Sequence, residues 1–283
     1  MFSSVASNSH YDLSRRVKNK ENNLVVIKDF FDEFNMPETV VIEDARSFLE
    51  SKGHALNDGE IKDAVTFLMF KGEIPEYFEL IDKNTGESLN IIKQRSAVHR
   101  DGDWHSAVSV FIFNKKGQLL VQKRDPSVAE PNRLETSASG HMAPGEIPQE
   151  SILRETLEEV GMKMSLSRLI NVGGLYRFIK IGRDDITQDH FEEDAYIHYS
   201  EDPTNNPERL TLFAYIVSDE EIADIMEFMG KGGCEDVASL SLVDFEDLLL
   251  DMEEEPDKYS SALTMYLGFP WVIDELRKHL REG

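Results

Sequence analysis

The sequence predicts an α/β protein preceded by a small all-α domain, and three features of the chain indicate this. Between residues 21 and 74, apolar residues recur at three- and four-residue steps, which is the spacing of amphipathic helices. From residue 75 onward, short β-rich runs bounded by turn residues alternate with helical patterns. The chain has 283 residues, 40% of them hydrophobic, and can bury a large core. We expect a flexible tail over 1–20, a helical domain over 21–74 and the α/β domain over 75–283.

Three helices are expected in the helical domain. The first ends at Pro37, because proline cannot continue a helix, and the second ends near Gly53. The third begins after Asn57, which forms a predicted capping box with Glu60. The apolar positions of these helices are Leu24, Ile27, Phe31, Phe34, Val41, Ala45, Phe48, Leu49, Ile61, Ala64, Val65 and Leu68. This region contains no catalytic motif, so a packing role is favoured over a regulatory, dimerising or substrate-capping role.

The α/β domain is expected to begin with a strand and to contain a hairpin. The β-rich runs lie at 77–81, 109–113, 118–123, 169–172 and 210–217, and the helical patterns at 220–228 and 245–253. Turn residues fill 82–86 and 114–117, and the second of these turns would join the hairpin strands. The acidic, polar segment 183–206 is expected to be a mobile loop over the site and not a strand.

The charge of the chain restricts its partners. Lys and Arg total 30 against 54 Asp and Glu, which gives a net charge of −24. Such a charge opposes binding to nucleic-acid backbones and to anionic membranes. A small phosphorylated substrate would therefore need local positive charge, from bound cations or from a few Lys and Arg residues. A homodimer is compatible with this composition.

Cysteine content and hydropathy favour a cytoplasmic protein. Cys234 is the lone cysteine, which excludes an intramolecular disulfide and fits a reducing compartment. The longest charge-free run, 259–273, contains Pro270 and is too short to span a membrane. Residues 1–20 are Ser-rich and basic but lack the apolar run of a secretory signal, so a frayed tail is favoured over a transit peptide.

One acidic segment carries the strongest functional signal. Residues 140–162 read GHMAPGEIPQESILRETLEEVGM. On a helix at 100° per residue, three carboxylates, those of Glu155, Glu158 and Glu159, fall on one face. The apolar residues Leu153, Leu157 and Val160 fall on the opposite face, which predicts that this face is buried. Because three neighbouring carboxylates repel one another, we expect a divalent cation to neutralise them.

This segment resembles the Nudix box, whose pattern is Gly, five residues, Glu, seven residues, then Arg-Glu-aliphatic-any-Glu-Glu-any-Gly-aliphatic. Only Thr156 departs, and it replaces an aliphatic residue with a β-branched one that can still pack. The resemblance implies an α/β/α sandwich with a mixed sheet. It also implies hydrolysis of a nucleoside-diphosphate-linked or related compound with the help of Mg²⁺, with Mn²⁺ as an alternative cation.

The same resemblance implies roles for the residues of the box. Glu158 and Glu159, with the Gly140 carbonyl, would bind the metal ion, and Glu155 would activate water or add a metal ligand. Arg154 would orient these carboxylates, and Glu146 would join the same network or a second metal shell. A further acid from outside the box is common in the family; Glu208 is the nearest positional match, with Glu192 and Glu193 as competitors.

The approach to the box, residues 98–141, resembles a narrower branch, the Nudix proteins related to isopentenyl diphosphate isomerase. This resemblance covers about residues 77–255 and leaves the N-terminal helices outside. In that isomerase a cysteine that performs proton transfer precedes the Gly-His pair, whereas this chain has Ser139. A hydroxyl is far less acidic than a thiol, so hydrolysis is favoured over isomerisation. The isomerases bind a metal through histidines: His105 and His141 stand at matching places, and His99 is one residue out of register. The alternative is that these histidines are ordinary polar or loop residues.

The substrate is not specified by the sequence. Five residues lie in segments that can face the site and supply phosphate contacts or a stacking surface: Lys123, Arg124, Arg133, Tyr176 and Arg177. Two functions other than hydrolysis stay open. One is an isopentenyl diphosphate isomerase-like activity, and the other is a catalytically silent module that binds a nucleotide and signals through the N-terminal helices.

Overall fold

The computed structural model describes residues 20–179, 196–200 and 207–282. Its helices are α1 (Lys20–Glu33), α2 (Ile42–Ser51), α3 (Asp58–Phe70), α4 (Arg95–Asp101), α5 (Pro148–Val160), α6 (Asp219–Gly230), α7 (Phe245–Glu254), α8 (Ser261–Leu267) and α9 (Pro270–Glu282). Its strands are β1 (Thr39–Val41), β2 (Tyr77–Ile81), β3 (Ser88–Gln94), β4 (His105–Asn114), β5 (Gln118–Arg124), β6 (Leu134–Glu135), β7 (Ala138–His141), β8 (Ile170–Ile179), β9 (Tyr196–Ser200), β10 (Glu208–Val217) and β11 (Val237–Asp244). Within these ranges, no helix combines the length and the apolar character needed to cross a membrane.

The chain divides into two compact units. The first comprises residues 1–107, 141–147 and 175–210, and the second comprises 108–140, 148–174 and 211–283. Both units are assembled from segments that are far apart in the sequence, so neither is a continuous stretch of chain.

In the first unit, the predicted N-terminal helices are present as α1, α2 and α3. Asn57 caps α3 as expected, because its side chain accepts a hydrogen bond from the Glu60 amide and Glu60 returns one to the Asn57 amide. The apolar faces of these helices share one core with Tyr77 of β2, Ile92 of β3 and Ala143. The helices therefore bury their apolar residues partly against strands of their own unit.

The first unit also contains elements that the sequence patterns did not predict. β3 pairs antiparallel with both β1 and β2, and α4 follows β3. Leu80 of β2 pairs with His105, the first residue of β4. The predicted turn after β2 is present: the Asp82 carboxylate accepts hydrogen bonds from the Asn84 and Thr85 amides.

In the second unit, the predicted hairpin is formed by β4 and β5. Ile112 pairs with Leu120, and the Asn114 side chain accepts hydrogen bonds from the Lys116 and Gln118 amides in the turn. β11, which was not predicted, pairs antiparallel with β5 from Val237 to Asp244. β6 pairs with the end of β5.

One loop prediction was wrong. Residues 196–200 form β9, which pairs parallel with β8, so the segment 183–206 is not a loop throughout. The sequence of β9, YIHYS, is rich in aromatic and β-branched residues, and local β-propensity outweighed the acidic composition of the whole segment. The rest of that segment up to residue 206 lies outside the described residues.

The predicted fold class is confirmed. Both kinds of strand pairing occur: β8 pairs parallel with β9, whereas β3 pairs antiparallel with β1 and β2, and β5 with β4, β6 and β11. Three helices precede the α/β region. A domain boundary near residue 75 stays a prediction.

Candidate active site

Helix α5 carries the acidic segment and belongs to the second unit. Its buried apolar contact is made by Ile152, Thr156 and Val160, whereas Leu153 and Leu157 are only half-buried. The prediction that these two leucines lie on the buried face was therefore wrong, because the helix is rotated toward its carboxylate side. Thr156 packs as expected, since it is fully buried and donates its hydroxyl to the Ile152 carbonyl at 2.7 Å.

Arg154 organises two of the three carboxylates. Its guanidinium donates from Nη1 to Glu155 Oε1 at 2.7 Å and to Glu158 Oε2 at 3.2 Å. The other terminal nitrogen, Nη2, donates to Ser151 Oγ at 3.2 Å. With a side chain that is 6% exposed, Arg154 is a buried cation that holds both carboxylates in fixed orientations.

Glu159 is held separately from the other two carboxylates. Its Oε2 accepts hydrogen bonds from Gln122 Nε2 and from the Ser139 amide, both at 3.1 Å. Gln122 is a buried polar residue on β5, and Ser139 lies on β7. The carboxylates of α5 therefore fall into two groups. Glu155 and Glu158 accept hydrogen bonds from Arg154, whereas Glu159 accepts them from Gln122 and the Ser139 main chain.

Gly140 is required by the close approach of Glu155. A Cβ atom at position 140 would lie 2.1 Å from Glu155 Oε1 and 2.2 Å from its carboxyl carbon. No side chain fits there unless Glu155 moves. The glycine of the box thus places main chain directly against the carboxylate predicted to activate water.

The electrostatics of α5 favour a bound cation. Burial raises the pKa of Glu155 well above its usual range, with Arg154 opposing the shift, and burial raises the pKa of Glu159 to about 8. Ionised carboxylates in such surroundings are costly unless a positive charge compensates them. Carboxylate oxygens are the ligands that Mg²⁺ prefers, so the residues present fit a hard divalent cation.

Glu146, the first acid of the box, belongs to the first unit and lies in the loop 142–147. Its Oε2 accepts a hydrogen bond from the Ala143 amide at 2.9 Å, and its own amide donates to the Ala143 carbonyl at 3.0 Å. Only 6% of Glu146 is exposed. The loop therefore closes on itself around this carboxylate.

The first unit also brings three histidines together. His99 of α4, His105 of β4 and His141 of β7 each place a ring nitrogen within 4.8 Å of the others. Phe78 stacks on His105 and on His141, with ring centroids 5.0 and 4.5 Å apart. Among the residues that the structure describes, this is the group of three or more His, Cys, Asp or Glu residues that converges closely enough for one ion. His99, which the sequence placed out of register, joins the group because it lies on a helix.

Glu208 of β10 completes this histidine cluster. Its Oε1 lies 3.0 Å from His141 Nε2 and 3.8 Å from His105 Nε2. His105 Nδ1 donates to the Asp103 carbonyl at 2.9 Å, which leaves Nε2 as the nitrogen with a free lone pair. Buried Nε2 atoms of His99 and His105 have no hydrogen-bond partner in the described part of the chain.

Two of the three histidines have the charge state of metal ligands. Burial lowers the pKa of His105 to about 3 and that of His99 to about 4, so both rings are neutral at pH 7. Neutral imidazoles with free nitrogens, such as those of His99 and His105, are ligands for Zn²⁺ or Mn²⁺. The donor set therefore fits a transition metal.

Three of the five predicted substrate contacts have described side chains. Lys123 is exposed, while Arg124 donates to the Ala129 carbonyl at 2.7 Å and Arg133 donates to the Tyr259 carbonyl at 3.2 Å. The side chains of Tyr176 and Arg177, and the competing acids Glu192 and Glu193, lie outside the described residues.

The sequence patterns did not identify several residues of the site. Gln122 was detectable in principle, since a polar residue inside the apolar strand 119–122 must find a buried partner. Ser151 and the Ser139 amide gave no such signal, because their partners are set by the fold.

The mixed pairing of the strands and the glutamate-rich α5 agree with the fold that the resemblance of residues 140–162 predicted. The family model of the NUDIX domain matches residues 103–262, more than half of the chain, and the chain belongs to this family.

Individual relatives show both branches expected from the sequence. The chain is 41% identical to "Nudix hydrolase 3" of Arabidopsis thaliana over 91 residues, which are 31% of this chain and 12% of that protein. It is 37% identical to "Isopentenyl-diphosphate Delta-isomerase" of Streptomyces coelicolor over 89 residues, which are 31% of this chain and 45% of that protein. A Pectobacterium atrosepticum protein of the same name is 28% identical over 141 residues, covering 49% of this chain and 73% of that protein. The chain thus resembles the isomerase-like branch of the family, and its matches span less than half of the first two relatives.

Proposed function

We propose that the protein is a metal-dependent hydrolase that cleaves a phosphoanhydride bond in a nucleoside-diphosphate-linked or related diphosphate. The observation that carries this proposal is the buried network of α5, in which Arg154 binds Glu155 and Glu158 while Glu159 is held by Gln122. The relative named "Nudix hydrolase 3" supports the same reaction class.

Each residue of the network has a proposed role. Glu158, Glu159 and the Gly140 carbonyl would hold Mg²⁺ or Mn²⁺. Such a cation, when bound, offsets the charge of the diphosphate and lowers the pKa of water. Glu155 would take the proton of the attacking water. Arg154 would fix the direction of that carboxylate through its 2.7 Å hydrogen bond.

Two acids lie outside α5. Glu146 would join the outer shell of the metal site, as the resemblance implies. Within the loop 142–147, it accepts a hydrogen bond from the Ala143 amide. Glu208 is bonded to His141, which favours a role in the histidine cluster. The net charge of −24 supports a small-molecule substrate over nucleic acid or a membrane, and the lone cysteine supports a cytoplasmic location. A homodimer stays a prediction.

An isomerase acting on isopentenyl diphosphate is the second candidate. The histidine cluster and the Streptomyces coelicolor relative favour it. Ser139 opposes it, because a serine hydroxyl at this position is too weak an acid for the proton transfer of the cysteine. A silent nucleotide-binding module is a third alternative, and the full set of carboxylates on α5 opposes it.

A substrate screen with product identification by mass tests the proposal. The protein is incubated with Mg²⁺ and nucleoside-diphosphate sugars, dinucleotides, dinucleoside polyphosphates or prenyl diphosphates. We expect cleavage of a phosphoanhydride bond that stops when the metal is chelated. Formation of dimethylallyl diphosphate from isopentenyl diphosphate at enzymatic rates would instead establish the isomerase, and binding without turnover would favour the silent module.

A further inference from the structure

The loop 142–147 joins β7 to α5 and contains Glu146. Two of its main-chain groups are bonded to side chains from outside the loop, and all of these residues belong to the first unit. Thr66 of α3 is fully buried and donates its hydroxyl to the Pro144 carbonyl at 2.8 Å. Glu79 of β2 accepts a hydrogen bond from the Gly145 amide on Oε2 at 2.9 Å. Because both bonds go to main chain, they fix the path of the loop.

Glu79 is itself held in place. Its second oxygen, Oε1, forms an ion pair with Lys62 of α3, and the Ser88 hydroxyl donates to the same atom. Lys62 also donates to Asn90 Oδ1 at 2.7 Å. The side chains of Lys62 and Glu79 are 10% and 15% exposed, so the pair is largely desolvated. A desolvated pair with further hydrogen bonds has one favourable geometry. The Glu79 carboxylate, which accepts the hydrogen bond of the Gly145 amide, is therefore held in one position.

Gly145 allows helix α3 to approach the loop. Its φ is +76°, in the left-handed region, and a Cβ atom added there would lie 3.1 Å from Lys62 Cβ. A side chain at this position is therefore disfavoured both by the backbone conformation and by space. The residue directly after this tight contact is Glu146, whose carboxylate returns to the Ala143 amide.

We propose that Thr66 and the Lys62–Glu79 pair are positioning residues that fix the loop 142–147 and thereby the orientation of Glu146, the acid that the proposed function assigns to the outer metal shell. The inference rests on the proposed function and extends it to α3, a helix outside the Nudix box that carries no catalytic motif. The N-terminal helices then supply no reacting group, but they fix the orientation of a carboxylate of the proposed outer metal shell.

The primary test compares Thr66→Val with Thr264→Val. Each substitution removes one hydroxyl-to-carbonyl hydrogen bond and preserves the branched shape; Thr264 donates to the Ser260 carbonyl at 2.9 Å in α8, in the second unit. Three quantities are measured: hydrogen exchange of the peptide containing 143–147, affinity for Mg²⁺ alone by calorimetry, and kcat and KM at several Mg²⁺ concentrations.

For Thr66→Val we expect faster exchange at 143–147, about 10-fold weaker Mg²⁺ binding and a lower kcat with KM nearly unchanged. Thr264→Val should match the wild type in all three. If Thr66→Val keeps wild-type exchange and Mg²⁺ affinity, or if both variants change equally, the inference is wrong.

A second set of variants tests the same inference in case Thr66→Val does not fold. The double variant Lys62→Met, Glu79→Met removes both charges together, so neither charge of the pair is left without its partner, and it removes the carboxylate to which the Gly145 amide donates. It should reproduce the loop and metal defects of Thr66→Val. Glu79→Gln retains an acceptor oxygen, so its hydrogen exchange at 143–147 should be slower than that of the double variant. Equal defects in Glu79→Gln and the double variant would contradict a role for the hydrogen bond between the Gly145 amide and Glu79.

The outcomes also separate this inference from the proposed function. If the wild type cleaves no diphosphate but Thr66→Val still loosens the loop and weakens Mg²⁺ binding, the proposed function fails and the positioning role stands. If the wild type is an active hydrolase and Thr66→Val is indistinguishable from it, the positioning role fails alone.

Discussion

The carboxylate face of α5 and the histidine cluster differ in where their residues come from. Arg154, Glu155, Glu158 and Glu159 lie within a single helix. The histidine cluster collects its side chains from α4, β4, β7 and β10, between positions 99 and 208. One group follows from a local pattern in the sequence, whereas the other exists only because the fold brings distant segments together.

The two groups also differ in how their ligand atoms are satisfied. The α5 carboxylates are hydrogen-bonded to Arg154, Gln122 and the Ser139 amide. In the histidine cluster, buried nitrogens of His99 and His105 have no hydrogen-bond partner among the described residues. Oxygen ligands suit Mg²⁺, while neutral imidazoles suit transition metals. The comparison therefore predicts two sites that select different cations, and three experiments test this difference.

The largest expected effect comes from removing residues 1–74, because this deletion removes α1–α3 from the unit that carries the histidine cluster. Tyr77, Ile92 and Ala143 share their core with these helices. Burial of one large apolar side chain contributes about 1.5–3 kcal/mol, and the exposed core surface would favour aggregation. We expect a truncated protein beginning at Pro75 to sediment as aggregates, with the full chain as the control.

A soluble truncated protein would indicate a different domain organisation. If the truncated protein stays soluble, shows cooperative unfolding and keeps the turnover of the full chain, residues 75–283 form an independent enzyme domain, as the sequence patterns predicted. A folded truncation that binds substrate but has no chemical step would show that the helices contribute more than packing.

The second experiment concerns the α5 carboxylates. Glu155→Gln and Glu159→Gln should each lower kcat about 100-fold or more, because each removes a charge from the proposed metal and water site while keeping the side-chain shape. The measurement is steady-state hydrolysis of the substrate identified by the screen, with circular dichroism to verify folding. Glu253→Gln on the exposed side of α7 is the matched control and should leave kcat unchanged. Wild-type turnover in both α5 variants would contradict the assigned site.

The same comparison shows what the sequence can and cannot predict. The identity of the box residues and the capping box at Asn57 were predictable, because each depends on residues a few positions apart. The burial of α5 was not, since Leu153 and Leu157 have the right helical phase but the fold buries the side of Glu155 instead. The approach of α3 to Gly145 was also beyond local pattern, because Thr66 and Pro144 are 78 residues apart in the chain.

His99 illustrates the same limit at the histidine cluster. Counting residues placed it out of register with the isomerase pattern, and counting assumes that the intervening chain has the same conformation. The short helix α4 places His99 with its ring centroid 5.3 Å from His105 and 5.4 Å from His141. Whether His99 can share a ligand with His105 and His141 depends on its position in the fold and not on its spacing in the sequence.

The third experiment tests whether the histidine cluster is a separate metal site. His105→Gln removes the imidazole whose Nδ1 is tied to the Asp103 carbonyl and whose Nε2 is left for a ligand. After equilibration with Zn²⁺ and dialysis, we expect the variant to lose about one bound ion relative to the wild type, as removal of one of few ligands does. Metal content is measured by atomic emission. His279→Gln changes a partly exposed histidine bonded to Glu275 and should retain the full content.

The effect of His105→Gln on hydrolysis decides how the two groups act. If they are separate sites, turnover with saturating Mg²⁺ should stay within about 3-fold of the wild type, since the α5 carboxylates keep all their partners. If turnover falls as far as in Glu159→Gln, the two groups serve one reaction and the distinction drawn between them is wrong. If Zn²⁺ content does not change, the free nitrogens are not ligands, and the cluster is a packed aromatic group around Phe78.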